Sequence, residues 1–152
     1  MARRSARVSV VAAVALALGL AAVAASGAEY ASIGAAAAIL YDGPSDKSRR
    51  MFVAPRGMPV EVVARIDRWA KVRDVAGDVL WVASRDLVPG RTVIVVTAAP
   101  IRQQAQDAAP AVFQAERGVV LDLLEGSVPG WARVRHRDGG IGFVRVSDVW
   151  GL

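Results

Sequence analysis

The sequence predicts an all-β protein made of two copies of one small module, preceded by an export signal. Three observations carry this reading. Two tryptophan-centred segments, Arg68-Trp69-Ala70-Lys71-Val72-Arg73 and Gly130-Trp131-Ala132-Arg133-Val134-Arg135, share one downstream frame. A Gly follows eight residues after the Trp (Gly77, Gly139), an aromatic-Val pair twelve after (Trp81-Val82, Phe143-Val144) and an Asp seventeen after (Asp86, Asp148). Positions held in register over such a span mark an internal repeat, which decides architecture before any single element does. Short β-branched and aromatic runs also alternate with turn residues at the spacing of a small barrel or sandwich. Finally, the first 28 residues read as a targeting segment rather than as part of the fold.

In that segment Arg3, Arg4 and Arg7 form a basic region and Val8 to Ala25 is an apolar run broken only by Ser9. Ser26-Gly27-Ala28 then supplies small residues where a signal peptidase reads, ahead of Glu29. A cut after Val23-Ala24-Ala25 is the alternative site, and an uncleaved membrane anchor the alternative fate. The membrane therefore enters only through this segment. The chain holds no Cys, which excludes lipoprotein processing and disulfide bracing. Subtracting the three leader arginines from the 19 basic residues leaves 16 against 14 acidic ones, so the full-length charge of +5 falls to +2. An exported, nearly balanced domain pair whose longest basic run is two residues has nothing with which to grip phosphates, and nucleic acid is excluded as a partner.

Expected strands in the first copy are Val60 to Ile66, Trp69 to Arg73 and Val79 to Val82, separated by Asp67-Arg68 and by Asp74 to Asp78. Their counterparts are Val119 to Leu124, Trp131 to His136 and Ile141 to Val146, with Asp138-Gly139 as a hairpin signal. Upstream, Ala54-Pro55-Arg56-Gly57 matches Ala115-Glu116-Arg117-Gly118, and Ile39-Leu40-Tyr41 falls opposite Pro100-Ile101-Arg102. Asp42 to Arg50 and Gln103 to Pro110 read as loops, and Gly34 to Ala38 as a loop or helical turn. The domains are placed at 29–89 and 90–152. Leu87 to Arg91 is too short a joint for a free linker, so a limited range of orientations is expected.

The order Leu40-Tyr41-Asp42, polar loop, Gly57, strand, Trp69, Gly77, Trp81-Val82 resembles the bacterial SH3 domain. Copy two resembles it more closely, through Gly130-Trp131-Ala132-Arg133-Val134-Arg135, Asp138-Gly139 and Gly142-Phe143-Val144. The resemblance covers nearly all of 30–152 and implies two tandem five-stranded SH3-like β-barrels whose exposed loops bind peptides. In cell-envelope members that often means the peptide part of peptidoglycan. Eukaryotic SH3 domains hold polyproline helices in an aromatic groove. Here Tyr41 matches a groove aromatic, but its counterpart in copy two is Arg102. The position before Trp69, aromatic in polyproline binders, is Arg68, and Gly130 in copy two. The groove proline falls at Ala83 and Arg145. Most of the aromatic platform is absent, which argues against polyproline recognition.

Trp69 and Trp131, mid-strand with apolar neighbours at alternate positions, are expected in the barrel core. Trp81 and Phe143 are divided between core and groove, and Trp150 is expected in the seam between the domains. Arg133, Arg135 and Arg137 alternate onto one strand face and, with Arg145, either contact carboxylates of a ligand or form a solvated outer surface. Asp138 could approach His136, the sole histidine, across a turn, but no nucleophile or second titratable partner stands beside them, and His136 reads as a solvated turn residue. One His and no Cys leave no metal set, and neither a cofactor nor a catalytic constellation is expected. The expected function is a non-enzymatic, exported, periplasmic binding protein of the bacterial cell envelope. It would recognise peptidoglycan peptides or an envelope protein through Tyr41, Trp81, Phe143, Arg133, Arg135 and Arg145. The rival is an assembly role, with the barrels docked on an envelope complex and no small ligand.

Overall fold

The computed structural model describes residues 27–152. The apolar run Val8 to Ala25 and its basic flank, read above as an export signal, lie outside the described residues. Among the described residues no helix is long and apolar enough to cross a membrane.

Two antiparallel sheets are formed. The first contains β1 (Glu29–Ile33), β2 (Ala37–Tyr41), β3 (Arg50–Pro55), β4 (Pro59–Ile66), β5 (Trp69–Arg73), β6 (Val79–Ala83) and β7 (Leu87–Val88). Their spatial order is β3-β2-β6-β5-β4-β1-β7. The second contains β8 (Thr92–Val95), β9 (Ala99–Arg102), β10 (Ala111–Ala115), β11 (Val120–Leu123), β12 (Trp131–Arg135), β13 (Ile141–Arg145) and β14 (Val149–Trp150). Its order, β10-β9-β13-β12-β11-β8-β14, repeats the first strand for strand. Seven strands appear where the resemblance implies five: β8 falls on the apolar run Thr92 to Val96 that reads as a strand, β1 has no such signal, and the two-residue β7 and β14 pair with β1 and β8. Each ladder runs from one edge strand to the other without joining its ends.

Turn chemistry explains the shared frame. Gly77 and Gly139 sit at φ 94° and 98°, in the left-handed region that glycine reaches without steric cost. Asp74 Oδ1 accepts the backbone N–H groups of Ala76 and Asp78, and Asp138 Oδ1 that of Gly140, so each hairpin is closed by its own Asp.

The phase of the strands corrects the expectation for the tryptophans. The core of copy one is built from Ile33, Leu40, Val60, Ala70, Val72 and Val82, that of copy two from Ile101, Leu121, Ala132, Val134 and Val144, each with smaller neighbours. Side chains alternate across a strand, so Ala70 and Val72 facing inward place Trp69, Lys71 and Arg73 on the outer face. Trp69 and Trp131 are each only 6% exposed, yet they belong to neither core. They are covered from outside, by partners that differ between the copies.

The two domains meet along β1 and β8. Ser32 and Thr92 are buried, and their hydroxyl oxygens lie 2.8 Å apart. The Thr92 hydroxyl donates to the Gly57 carbonyl at 2.6 Å, so its one proton is spent and Ser32 must donate to Thr92. Trp150 stands edge-on to Tyr30, ring centres 5.2 Å apart, which places it in the seam. Gly151, at φ 113°, packs so closely that an added Cβ would lie 2.9 Å from the Thr92 carbonyl and 3.3 Å from Pro59. Thr92→Val keeps the shape but leaves Gly57 without its donor and Ser32 without its acceptor. It is expected to cost about 1–3 kcal/mol in urea unfolding.

Burial raises the pKa of Tyr30 above the ordinary 10.0, with Glu61 adding to the effect. The folded state therefore holds this proton more tightly than the unfolded chain. Its contribution to stability is complete below pH 10.0 and is lost as pH rises through the folded-state pKa. Ultraviolet titration of Tyr30→Phe against the parent chain is expected to remove a late-ionising phenol, and with it part of the alkaline loss of stability.

Candidate functional site

A cleft of about 490 Å³ opens on copy one, at the end of β2 and β6 and the start of β5. A register shift between Leu40 and Tyr41 bends β2, so that Tyr41 pairs with Arg50 on one side and Trp81 on the other. The Tyr41 ring then meets Trp69 edge-on at 5.4 Å and 86°, forming the aromatic wall. Ala83, opposite Trp69 in the ladder, has a small side chain and leaves the cleft beside the indole open. The β4–β5 turn, with Asp67 at φ 49°, presents Arg68 at the rim. A 3₁₀ turn, Ser84–Asp86, supplies Arg85 and Asp86, and the loop after β2 supplies Asp46.

The charges at the rim are loosely engaged. Arg68 reaches Asp46 at 3.6 Å and Arg85 reaches Asp86 at 3.9 Å, both beyond good hydrogen-bond length. Such exposed pairs hold little energy and exchange readily for a ligand's own charges. Two guanidiniums, two carboxylates and an aromatic wall can accept a peptide segment that carries both an ammonium and a carboxylate.

Copy two fills the same place with its own side chain. Arg145 stands where copy one has Ala83, and its guanidinium lies 4.5 Å above the Trp131 ring. Asp107, the counterpart of Asp46, holds it there through Nε to Oδ1 at 3.1 Å and through Nη2 to Oδ2. Arg102, the counterpart of Tyr41, turns away and donates to the Ala109 carbonyl at 2.7 Å.

The six residues expected from sequence are thus divided. Tyr41 and Trp81 are cross-strand neighbours on copy one, but only Tyr41 lines the cleft, while Trp81 carries Lys71 Nζ over its ring at 5.8 Å. Phe143 is the counterpart of Trp81, flanked in the ladder by Arg102 and Arg133. Arg133 reaches back to the Glu125 carbonyl at 3.4 Å. Arg135 is paired with Asp122 at 2.9 Å, and Arg145 is committed to Asp107 and Trp131. Asp46, Arg85 and Asp86 escaped sequence reasoning, although Asp86 stood in the repeated frame.

His136 is half-buried rather than solvated, tilted against Phe113 at 5.5 Å with Nδ1 2.9 Å from Asp138. The Asp138 carboxyl is held below its ordinary range, chiefly by the Gly140 amide and then by His136. Among the described residues no cluster of His, Asp and Glu is placed to hold a metal ion.

A family model described as Bacterial SH3 domain matches residues 34–89 and again 95–151. The chain belongs to the bacterial SH3 domain family. Its two SH3 domains are arranged in tandem, each a β-rich unit with its own core. No curated protein matches the sequence. Among solved structures it is similar to NlpC2 from Trichomonas vaginalis (16% identity, 82% of this chain and 48% of that one, TM-score 0.39). NlpC1 from the same organism is comparable (16% identity, 82% and 46%, TM-score 0.38). So is an NlpC/P60 family protein from Bacillus cereus ATCC 10987 (17% identity, 80% and 55%, TM-score 0.36). The chain spans about half the length of these structures.

Proposed function

We propose that this protein is a non-enzymatic, exported binding protein of the bacterial cell envelope. Its first SH3 domain holds the peptide part of peptidoglycan, and its second braces the first. The single observation carrying this reading is the contrast between the copies: the cleft beside Tyr41 and Trp69 is open and lined by both charges, while the equivalent place in copy two is closed by Arg145. Stem peptides carry free amino and carboxyl groups on short side chains, which suits a rim of Arg68, Arg85, Asp46 and Asp86. The residues expected to carry binding are Tyr41, Trp69, Arg68 and Arg85.

A docking role on an envelope protein is the second reading, supported by edge strand β3. There Met51, Phe52 and Val53 are 47%, 47% and 60% exposed, an apolar row beside unpaired backbone. Retention of the purified protein on isolated sacculi at low salt separates the two. Retention that is lost in Tyr41→Ala supports the peptide reading. No retention, together with a single crosslinked protein complex through β3, overturns it in favour of docking.

A further inference from the structure

A second cleft, of about 510 Å³, lies in the seam and exists only because the domains are joined as they are. Copy one contributes Arg56 from the turn after β3, the joint contributes Arg91, and copy two contributes Arg135 from the end of β12. Asp122 is the one carboxylate among its lining residues, so three guanidiniums face a single acid. That acid is already spent: both Nε and Nη2 of Arg135 donate to the same Asp122 oxygen, at 3.2 and 2.9 Å. Arg91 is tethered by a 3.2 Å bond to the Gly151 carbonyl. Among the described residues neither Arg56 nor Arg91 has a carboxylate partner. Two positive charges are therefore left facing the cleft, and one of them is fixed in place before any ligand arrives.

The remaining wall is apolar, formed by Val88 on one side and Leu123 and Leu124 on the other. Planar guanidinium forks match a carboxylate. An Asp or Glu side chain would satisfy the arginines but leave the leucines bare, and so would inorganic phosphate. One peptide residue offers a carboxylate and an apolar group from the same carbon, namely the last. We propose that the seam is a second binding site, selective for the free C-terminal carboxylate of a peptide ending in an apolar residue. It shares no lining residue with the cleft of copy one and does not depend on that cleft's ligand.

The test is a titration of the isotope-labelled protein with acetyl-Ala-Leu as the free acid and as the amide, followed by amide NMR. The free acid is expected to shift Gly34, Gly57 and Gly90 saturably, with the amide weaker by about tenfold or more, the worth of one charge-assisted hydrogen bond. Arg56→Gln, which removes no side-chain hydrogen bond or ion pair among the described residues, is expected to weaken the acid by about tenfold and leave other resonances in place. Arg56→Lys restores charge without the fork and is expected to recover only part of the binding. Equal binding of acid and amide overturns the proposal. So does displacement of the peptide by equimolar inorganic phosphate, or shifts confined to Tyr41 and Trp69. Repeating the titration in Ala83→Arg keeps the two sites separate, because the seam response is expected to survive in that variant.

Discussion

Ala83→Arg is expected to abolish capture of peptide by copy one while leaving the protein folded. The substitution reproduces in the first domain what the second already contains. Ala83 is the ladder partner of Trp69, as Arg145 is of Trp131. Asp46 lies five residues beyond Tyr41, as Asp107 lies five beyond Arg102. An arginine at position 83 therefore has an indole to cover and a carboxylate to hold it, and the cleft closes over its own side chain. Stability is expected to change by no more than about 1 kcal/mol, because an exposed ion pair and a cation–π contact each contribute little in water. Retention on sacculi is expected to fall by more than about tenfold, since loss of one well-made charged contact alone accounts for that factor. The reciprocal Arg145→Ala is expected to open a comparable cleft on copy two. Undiminished retention by Ala83→Arg, with an unchanged circular dichroism spectrum, would sink the assignment of the cleft as the ligand site.

The largest loss of stability is expected from Gly142→Ala. Gly142 lies in β13 against β9, and a Cβ there would stand 2.6 Å from the Arg102 carbonyl oxygen and 2.7 Å from Ile101 Cγ2. Neither neighbour can retreat: Ile101 is fully buried in the second core, and the carbonyl belongs to the backbone of β9. Overpacking of this kind costs up to about 3 kcal/mol, a large share of the ~5–15 kcal/mol by which a small domain is stable. Copy one carries Leu80 at the same place in the frame, half-buried against its core, so the position is not glycine by rule of the fold. It is glycine because a side chain there would run into the Ile101 side chain and the Arg102 carbonyl of β9. Calorimetry of Gly142→Ala is expected to show a marked drop in Tm, whereas Leu80→Ala should behave as an ordinary cavity mutation.

The repeat made the tandem layout legible, since Gly77 and Gly139 demand the same turn and fix the spacing of the strands beside them. Which way each strand faces was harder. The largest apolar side chain in β5 is Trp69, and period-two alternation leaves the phase open, so size suggested that the indole points inward. In fact small domains fill their centres with Ala70, Val72 and Val82, and the tryptophan is buried by a cap laid over it from outside. That cap depends on residues remote in sequence: Arg145 and Asp107 are 38 positions apart. Arg102 and Arg145 were visible as departures from the aromatic groove, yet nothing local shows that one would fold onto Trp131 and the other turn to Ala109. β1 was missed for a related reason, because Tyr30, Ala31 and Ser32 read as a strand only when β4 and β7 are present to receive them. The seam arginines likewise come from three separate segments, and only the docked pair brings them together.

The contact between Tyr30 and Trp150 has a mechanical consequence. The strand β1 of copy one and the strand β14 of copy two meet there, side by side at the seam. A load applied through those two strands would be borne first by the seam, by the Ser32–Thr92–Gly57 hydroxyl chain and the aromatic pair, before either sheet was strained. The domains would part before they unravelled, and the junction between them would act as the fuse of the assembly.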